Sequence, residues 1–180
     1  MDRRGFLRTA TGGTVAIAVA ALLPAGCAAD YPQAEEDGNT LKSLSAKEYA
    51  VIRAAAEALL VGVPVHAAVV AQRIDQELAW VGEPIRGDMK TVLKLIEHAT
   101  PLSGRFRRFS ALNIEQRLAY LETWKHSRIQ LRRAAHQAIK GSVYYFAYID
   151  PATRPLTGFQ GPWPERLKIP AYPVDFGNII

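Results

Sequence analysis

Residues 112–151 read LNIEQRLAYLETWKHSRIQLRRAAHQAIKGSVYYFAYIDP, and this stretch decides the fold. Within it Leu118, Leu121 and Trp124 recur at helical spacing, and Leu131, Ala135, Ala138, Ile139 and Val143 continue the pattern. Asn113 with Gln116 forms a capping box that opens the first helix, each side chain satisfying a backbone N–H of the other. The spacing predicts a helical hairpin or one kinked helix. An aromatic run of Tyr144, Tyr145, Phe146 and Tyr148 closes the pattern. Asp150 and Pro151 then stop it, because proline lacks a backbone N–H and disfavours a helical residue before it. A tail punctuated by glycine and proline runs on past Trp163. So many large apolar groups must be covered, by the rest of this chain or by another.

Toward the N-terminus the same periodicity returns. Ser45 and Glu48 form a second capping box, and Tyr49, Ile52, Ala56 and Leu59 line one face of a helix predicted over 46–60. Gly62 and Pro64 break it. A second helix carries Val70, Ile74, Leu78 and Val81, ending near Gly82 and Pro84, and a third runs from Asp88 through Met89, Val92, Leu93 and Ile96 to a stop before Pro101. No segment sustains a period of two. The expectation is an all-α protein: a single small domain of four to five helices over 44–180, with an irregular tail from Pro151 to Ile180. The polar stretch 30–43, with Glu35, Glu36, Asp37, Gly38 and Asn39, is aperiodic and reads as a linker behind a signal peptide at 1–29.

Hydrophobic residues make up 49% of the chain and charged ones 22%, which suits a globular domain. The formal net charge is +5, but three arginines and one aspartate lie in the first eight residues, leaving the remainder at +3. That excess is too mild and too scattered for a nucleic-acid binder. The run Gly104, Arg105, Phe106, Arg107, Arg108, Phe109 interleaves arginines with aromatics, a pattern that binds phosphates or stacks bases in some proteins. Here it is expected to be a loop whose phenylalanines plug the core while the arginines stay wet or pair with carboxylates.

The N-terminus places Arg3, Arg4, Phe6 and Leu7 ahead of a short apolar run from Val15 to Leu23, well under the ~20 residues needed to span a bilayer. Paired arginines followed by Phe-Leu-Arg match the twin-arginine export signal, with Asp2 where Ser or Thr is usual. That route exports folded proteins, which suits a chain that leaves with a cofactor-bearing partner. Cys27 is the sole cysteine, so an intrachain disulfide, a CxxCH haem attachment and a cysteine-ligated cluster are excluded within this chain. Leu23, Pro24, Ala25, Gly26 and Cys27 look like a lipobox with Pro24 in an aliphatic position, which makes Cys27 a lipidation candidate. Cleavage before Asp30 is the other reading.

Catalytic boxes are missing from the sequence. His66, His98, His126 and His136 lack HExxH or zinc spacing, Ser127 lacks a Gly-x-Ser-x-Gly context, and no GxGxxG fingerprint occurs. Glu97 and His98 are adjacent, so on a helix they point about 100° apart and do not share a face.

One family likeness emerges. Leu95, Glu97, His98, Pro101, Arg108, Phe109, Leu112, Arg117, Leu121, Trp124, Ser127, Arg132, Arg133, Lys140, Tyr144, Tyr145, Pro151, Gly158, Phe159, Gly161 and Pro162, in that order behind a twin-arginine leader, resemble the gluconate 2-dehydrogenase subunit 3 family. The likeness spans about 44–163; Phe159 stands where the family has Tyr in its Gly-Tyr-x-Gly-Pro tail. The resemblance implies a non-catalytic small subunit, with no cofactor of its own, of a periplasmic or membrane-associated dehydrogenase. Its partner would be a large FAD-dependent subunit of the glucose-methanol-choline type, with a multihaem cytochrome c as a candidate third subunit. The small subunit would supply the signal read by the twin-arginine translocase and aid maturation of the flavoprotein. A free-standing periplasmic lipoprotein that binds a small ligand is the alternative. Arg, Tyr and Trp are the types enriched at interface hot spots, so the candidate partner-binding residues are Arg108, Phe109, Trp124, Arg132, Arg133, Tyr144, Tyr145 and Trp163.

Overall fold

The computed structural model describes residues 31–158 and 166–168, and every regular element among them is helical. In chain order the helices are α1 (Gln33–Glu36), α2 (Ala46–Leu59), α3 (Ala67–Trp80), α4 (Glu83–His98), α5 (Ile114–Lys125), α6 (Gln130–Tyr148) and α7 (Arg154–Thr157). Short 3-10 turns at Thr100–Ser103, Phe109–Ala111 and Pro151–Thr153 connect the later ones.

The central element is α2 rather than the 112–151 stretch. It packs against α1, α3, α4, α5, α6 and the 109–111 turn. Composition explains why: Ala50, Ala54, Ala55, Ala56 and Ala58 are all buried, and side chains this small let neighbouring helices approach from several sides at once. Its capping box forms as expected, with Glu48 N–H donating to Ser45 Oγ at 3.3 Å and Ser45 N–H donating to Glu48 Oε2 at 2.9 Å. The 112–151 stretch folds as a hairpin. Gln116 N–H donates to Asn113 Oδ1 at 2.8 Å to start α5, the helix ends at Lys125, and α6 begins at Gln130, which settles the choice between a hairpin and one kinked helix.

Two boundaries differ from the sequence expectation. The third helix starts at Glu83, five residues before Asp88, because Pro84 opens it; proline in the first helical turn gives up an N–H that has no intrahelical partner there. The stretch 31–43 is not a free linker. Tyr31 O–H donates to Glu97 Oε1 at 3.1 Å, Ala34 is buried, and Asp37 accepts the Tyr49 hydroxyl proton at 2.8 Å. Asp75 on α3, itself buried, accepts the N–H groups of Lys42, Ser43 and Leu44 at 2.7, 2.9 and 2.7 Å. These three charge-assisted bonds fix the approach to α2.

Candidate docking surface

The sequence-predicted partner residues separate into core and surface. Phe109 and Trp124 are fully buried, so neither presents a docking surface. They flank Tyr120, also fully buried, with ring centroids 5.6 Å apart on each side, and the Tyr120 hydroxyl donates to the Ile96 carbonyl at 3.1 Å. This ladder joins α5 to the 109–111 turn, and its central hydroxyl ties α5 to the last turn of α4. Residue type alone misleads here, because the aromatics favoured at interfaces are also the groups that fill cores.

The arginines cover the edges of this ladder. Arg132 lies 5.2 Å above the Trp124 ring and Arg105 6.0 Å from that of Tyr120. Arg133 donates to the Ser127 carbonyl at 2.6 Å, bracing the α5–α6 turn. Arg108 sits 4.5 Å over the Tyr31 ring, which Lys47 approaches at 5.9 Å. Phe106 does not plug the core as expected; it is 92% exposed, and only Phe109 turns inward.

The C-terminal half of α6 divides its aromatics between two environments. Tyr144 is half-buried, stacked edge-on with Tyr148 at 5.8 Å under Lys140, whereas Tyr145 is exposed and meets Phe146 at 5.0 Å. Beside them a shallow groove is lined by Arg73, Gln76, Glu77, Trp80, Phe146 and Ile149. Trp80 is 85% exposed at the end of α3, and Ile149 and Tyr148 are also exposed. Arg73 holds the groove together, donating to the Phe146 carbonyl at 3.1 Å and pairing with Asp150 at 2.9 Å. The Ala152 N–H, and then Arg73, keep the Asp150 carboxyl below its ordinary pKa. Trp80 escaped the sequence reading although the signal was present: it falls off the Val70, Ile74, Leu78 stripe and must therefore face out.

Glu97 and His98 do not act as a pair. Glu97 is buried and accepts from Tyr31 and from both the N–H and hydroxyl of Ser110, at 2.9 and 2.7 Å, while His98 is exposed. His136 is buried on α6, and burial followed by the nearby Lys140 lowers its pKa. His126 meets Glu122 at 2.8 Å on the surface. Among the described residues no group of three or more His, Cys, Asp or Glu side chains converges on a metal site, and no helix is long and apolar enough to cross a membrane. Arg3, Arg4, Phe6, Leu7, Cys27 and Trp163 lie outside the described residues. In comparisons with known proteins, no family model, no curated sequence and no solved structure matches the chain.

Proposed function

We propose that this chain is the small, non-catalytic subunit of an exported FAD-dependent dehydrogenase, escorting the folded flavoprotein through the twin-arginine translocase. The observation that carries the reading is the rim between α3 and α6, where Trp80 and Ile149 stay exposed on one groove and Tyr145 and Tyr148 stay exposed at the same end of α6. Neighbouring exposed aromatic and aliphatic groups of this kind mark protein interaction sites. The Arg3-Arg4 leader supports export in the folded state, and the ordered likeness to the gluconate 2-dehydrogenase subunit 3 family supplies the class of partner. Electrons drawn from a sugar or alcohol would leave the partner's flavin for a cytochrome c, and this chain would touch neither redox centre. Its localisation would be the periplasm, with a lipid anchor if Cys27 is acylated.

The test is to purify the tagged chain from the envelope fraction, record the visible spectrum, identify the co-purifying subunits, and compare with Arg3→Lys/Arg4→Lys. A flavin spectrum from a large subunit that stays in the cytoplasm in the double-lysine variant is the expected result. A colourless monomer whose loss leaves dehydrogenase export untouched would overturn the escort reading and favour a free-standing lipoprotein.

A further inference from the structure

The loop between α4 and the 109–111 turn has an unusual surface. Leu102 is 73% exposed and Phe106 92% exposed, with Arg105, Arg107 and Arg108 around them and no carboxylate between Leu102 and Arg108. Gly104 takes the left-handed conformation at φ 71°, which ends the preceding 3-10 turn and throws the loop outward. Arg107 is exposed and makes no hydrogen bond or ion pair among the described residues. Burying Phe106 in the core would have been the ordinary outcome for a phenylalanine two residues from the loop's edge, yet Phe109 occupies that place.

The loop also marks where the leader reaches the domain. Arg108 stacks on Tyr31, the first described residue, and Tyr31 is pinned to the buried Glu97. Cys27 precedes Tyr31 by four residues, a span of at most ~14 Å even fully extended. Whatever holds the leader at a membrane therefore holds this loop close to the same membrane.

We propose that the 102–108 loop is a membrane-docking device: Phe106 and Leu102 enter the headgroup boundary of an anionic bilayer while Arg105, Arg107 and Arg108 meet lipid phosphates. An aromatic or aliphatic tip ringed by cations is the pattern of interfacial anchors, joining buried apolar area to attraction for anionic lipid. Lys47, beside Tyr31, extends the positive face. Glu35 and Glu36 are exposed on α1 just beyond Tyr31 and oppose close approach on that side, so charge alone does not suffice and the apolar tip is needed. The inference rests on the leader's delivery of the chain to a membrane, not on the flavoprotein partner.

A fluorescence experiment on the full chain tests it without requiring export. In a Cys27→Ser background, Phe106→Cys carries an environment-sensitive nitrobenzoxadiazole label, and Trp80→Cys carries it in a separate sample. Both sites are exposed, so neither change disturbs the core. With vesicles of phosphatidylglycerol and phosphatidylcholine, the label at 106 should shift to the blue and the label at 80 should not. Phosphatidylcholine alone should give little response. Arg107→Glu should lower the partition coefficient on the order of 20-fold at low ionic strength, and the effect should shrink with added salt. A label at 106 that stays in water, whether or not the leader itself carries the chain onto vesicles, would overturn the proposal. So would a response appearing only when the purified flavoprotein is added, which would make the loop a protein contact instead. Retained vesicle docking alongside a failed flavoprotein pull-down would leave this inference standing and remove only the escort reading.

Discussion

The Tyr31 hydroxyl and the Glu97 carboxylate meet at 3.1 Å across 66 residues of sequence, joining the start of the described chain to the last turn of α4. Among the described residues Glu97 is buried with no cation in ion-pair contact, and its carboxyl oxygens accept from three donors, the Tyr31 hydroxyl and the N–H and hydroxyl of Ser110. Removing one donor of a charge-assisted set costs roughly 1–2 kcal/mol. Tyr31→Phe should therefore lower the unfolding free energy by that amount, seen as a lower urea midpoint at unchanged slope, and expose the 31–44 segment to protease. An unchanged midpoint with unchanged cleavage would mean that water replaces the phenol at no cost.

The central position of α2 rests on the lack of bulk at its contacts. Ala55 is completely buried where α2 meets its neighbours, so Ala55→Leu inserts three carbons with no space to take them. Overpacking of this kind costs about 1–3 kcal/mol or more. The exposed Lys42→Leu change, outside the helix, adds greasy surface but no crowding and should leave the thermal midpoint nearly unmoved. Differential scanning calorimetry of the two variants separates these outcomes; equal midpoints would show that α2 has slack.

His136 couples stability to mild acid. It is buried, and burial first, then Lys140, with smaller contributions from Lys125 and His126 against an opposing one from Glu122, lowers its pKa below the ordinary 6.5. The unfolded chain thus binds this proton more readily than the folded one. The contribution is complete above pH 6.5 and is lost as pH falls from there through the folded-state value. His98, though exposed, shifts in the same direction, first through desolvation by the groups packed beside it and then through Lys47. Asp150, held low, acts only in more acidic solution, where its stabilising charge is neutralised. Urea midpoints measured between pH 7.5 and 5 should fall for the wild type and fall less steeply for His136→Gln. Parallel slopes would place the acid sensitivity elsewhere.

How much of this was legible in the sequence depends on the range of the interaction. The starts of α2 and α5 were readable because a capping box is local, fixed by residues three apart. The start of α4 was misread because Pro84 serves equally as a stop and as a first-turn residue, and only the chain on either side decides which. The 31–43 segment looked like a linker because its partners, Asp75 and Glu97, lie more than thirty residues away and leave no periodic trace. Phe109 and Trp124 are interface candidates by residue type, and their burial is set by helices such as α2, distant in sequence, which no local window contains. Trp80 was readable from its position off the apolar stripe. Phe106 was not, since the run of arginines and aromatics does not say which phenylalanine turns inward.

Trp80 and Trp124 give the sharpest contrast between surface and core. Trp124 is fully buried against Tyr120 and beneath Arg132, so Trp124→Ala removes a large side chain from a packed site at a cost of about 3–5 kcal/mol. That is a large share of the stability of a domain this size, and any loss of partner binding in this variant would report unfolding. Trp80 is 85% exposed beside Ile149, so Trp80→Ser combined with Ile149→Ser removes apolar surface from water and should leave the melting temperature within about a degree or two. If the α3–α6 groove docks the flavoprotein, the double serine variant stays folded and loses most of its co-purifying flavin. A folded double variant that retains full flavin would remove the groove from the interface, and Tyr145 with the outer face of α6 would be the next surface to cut.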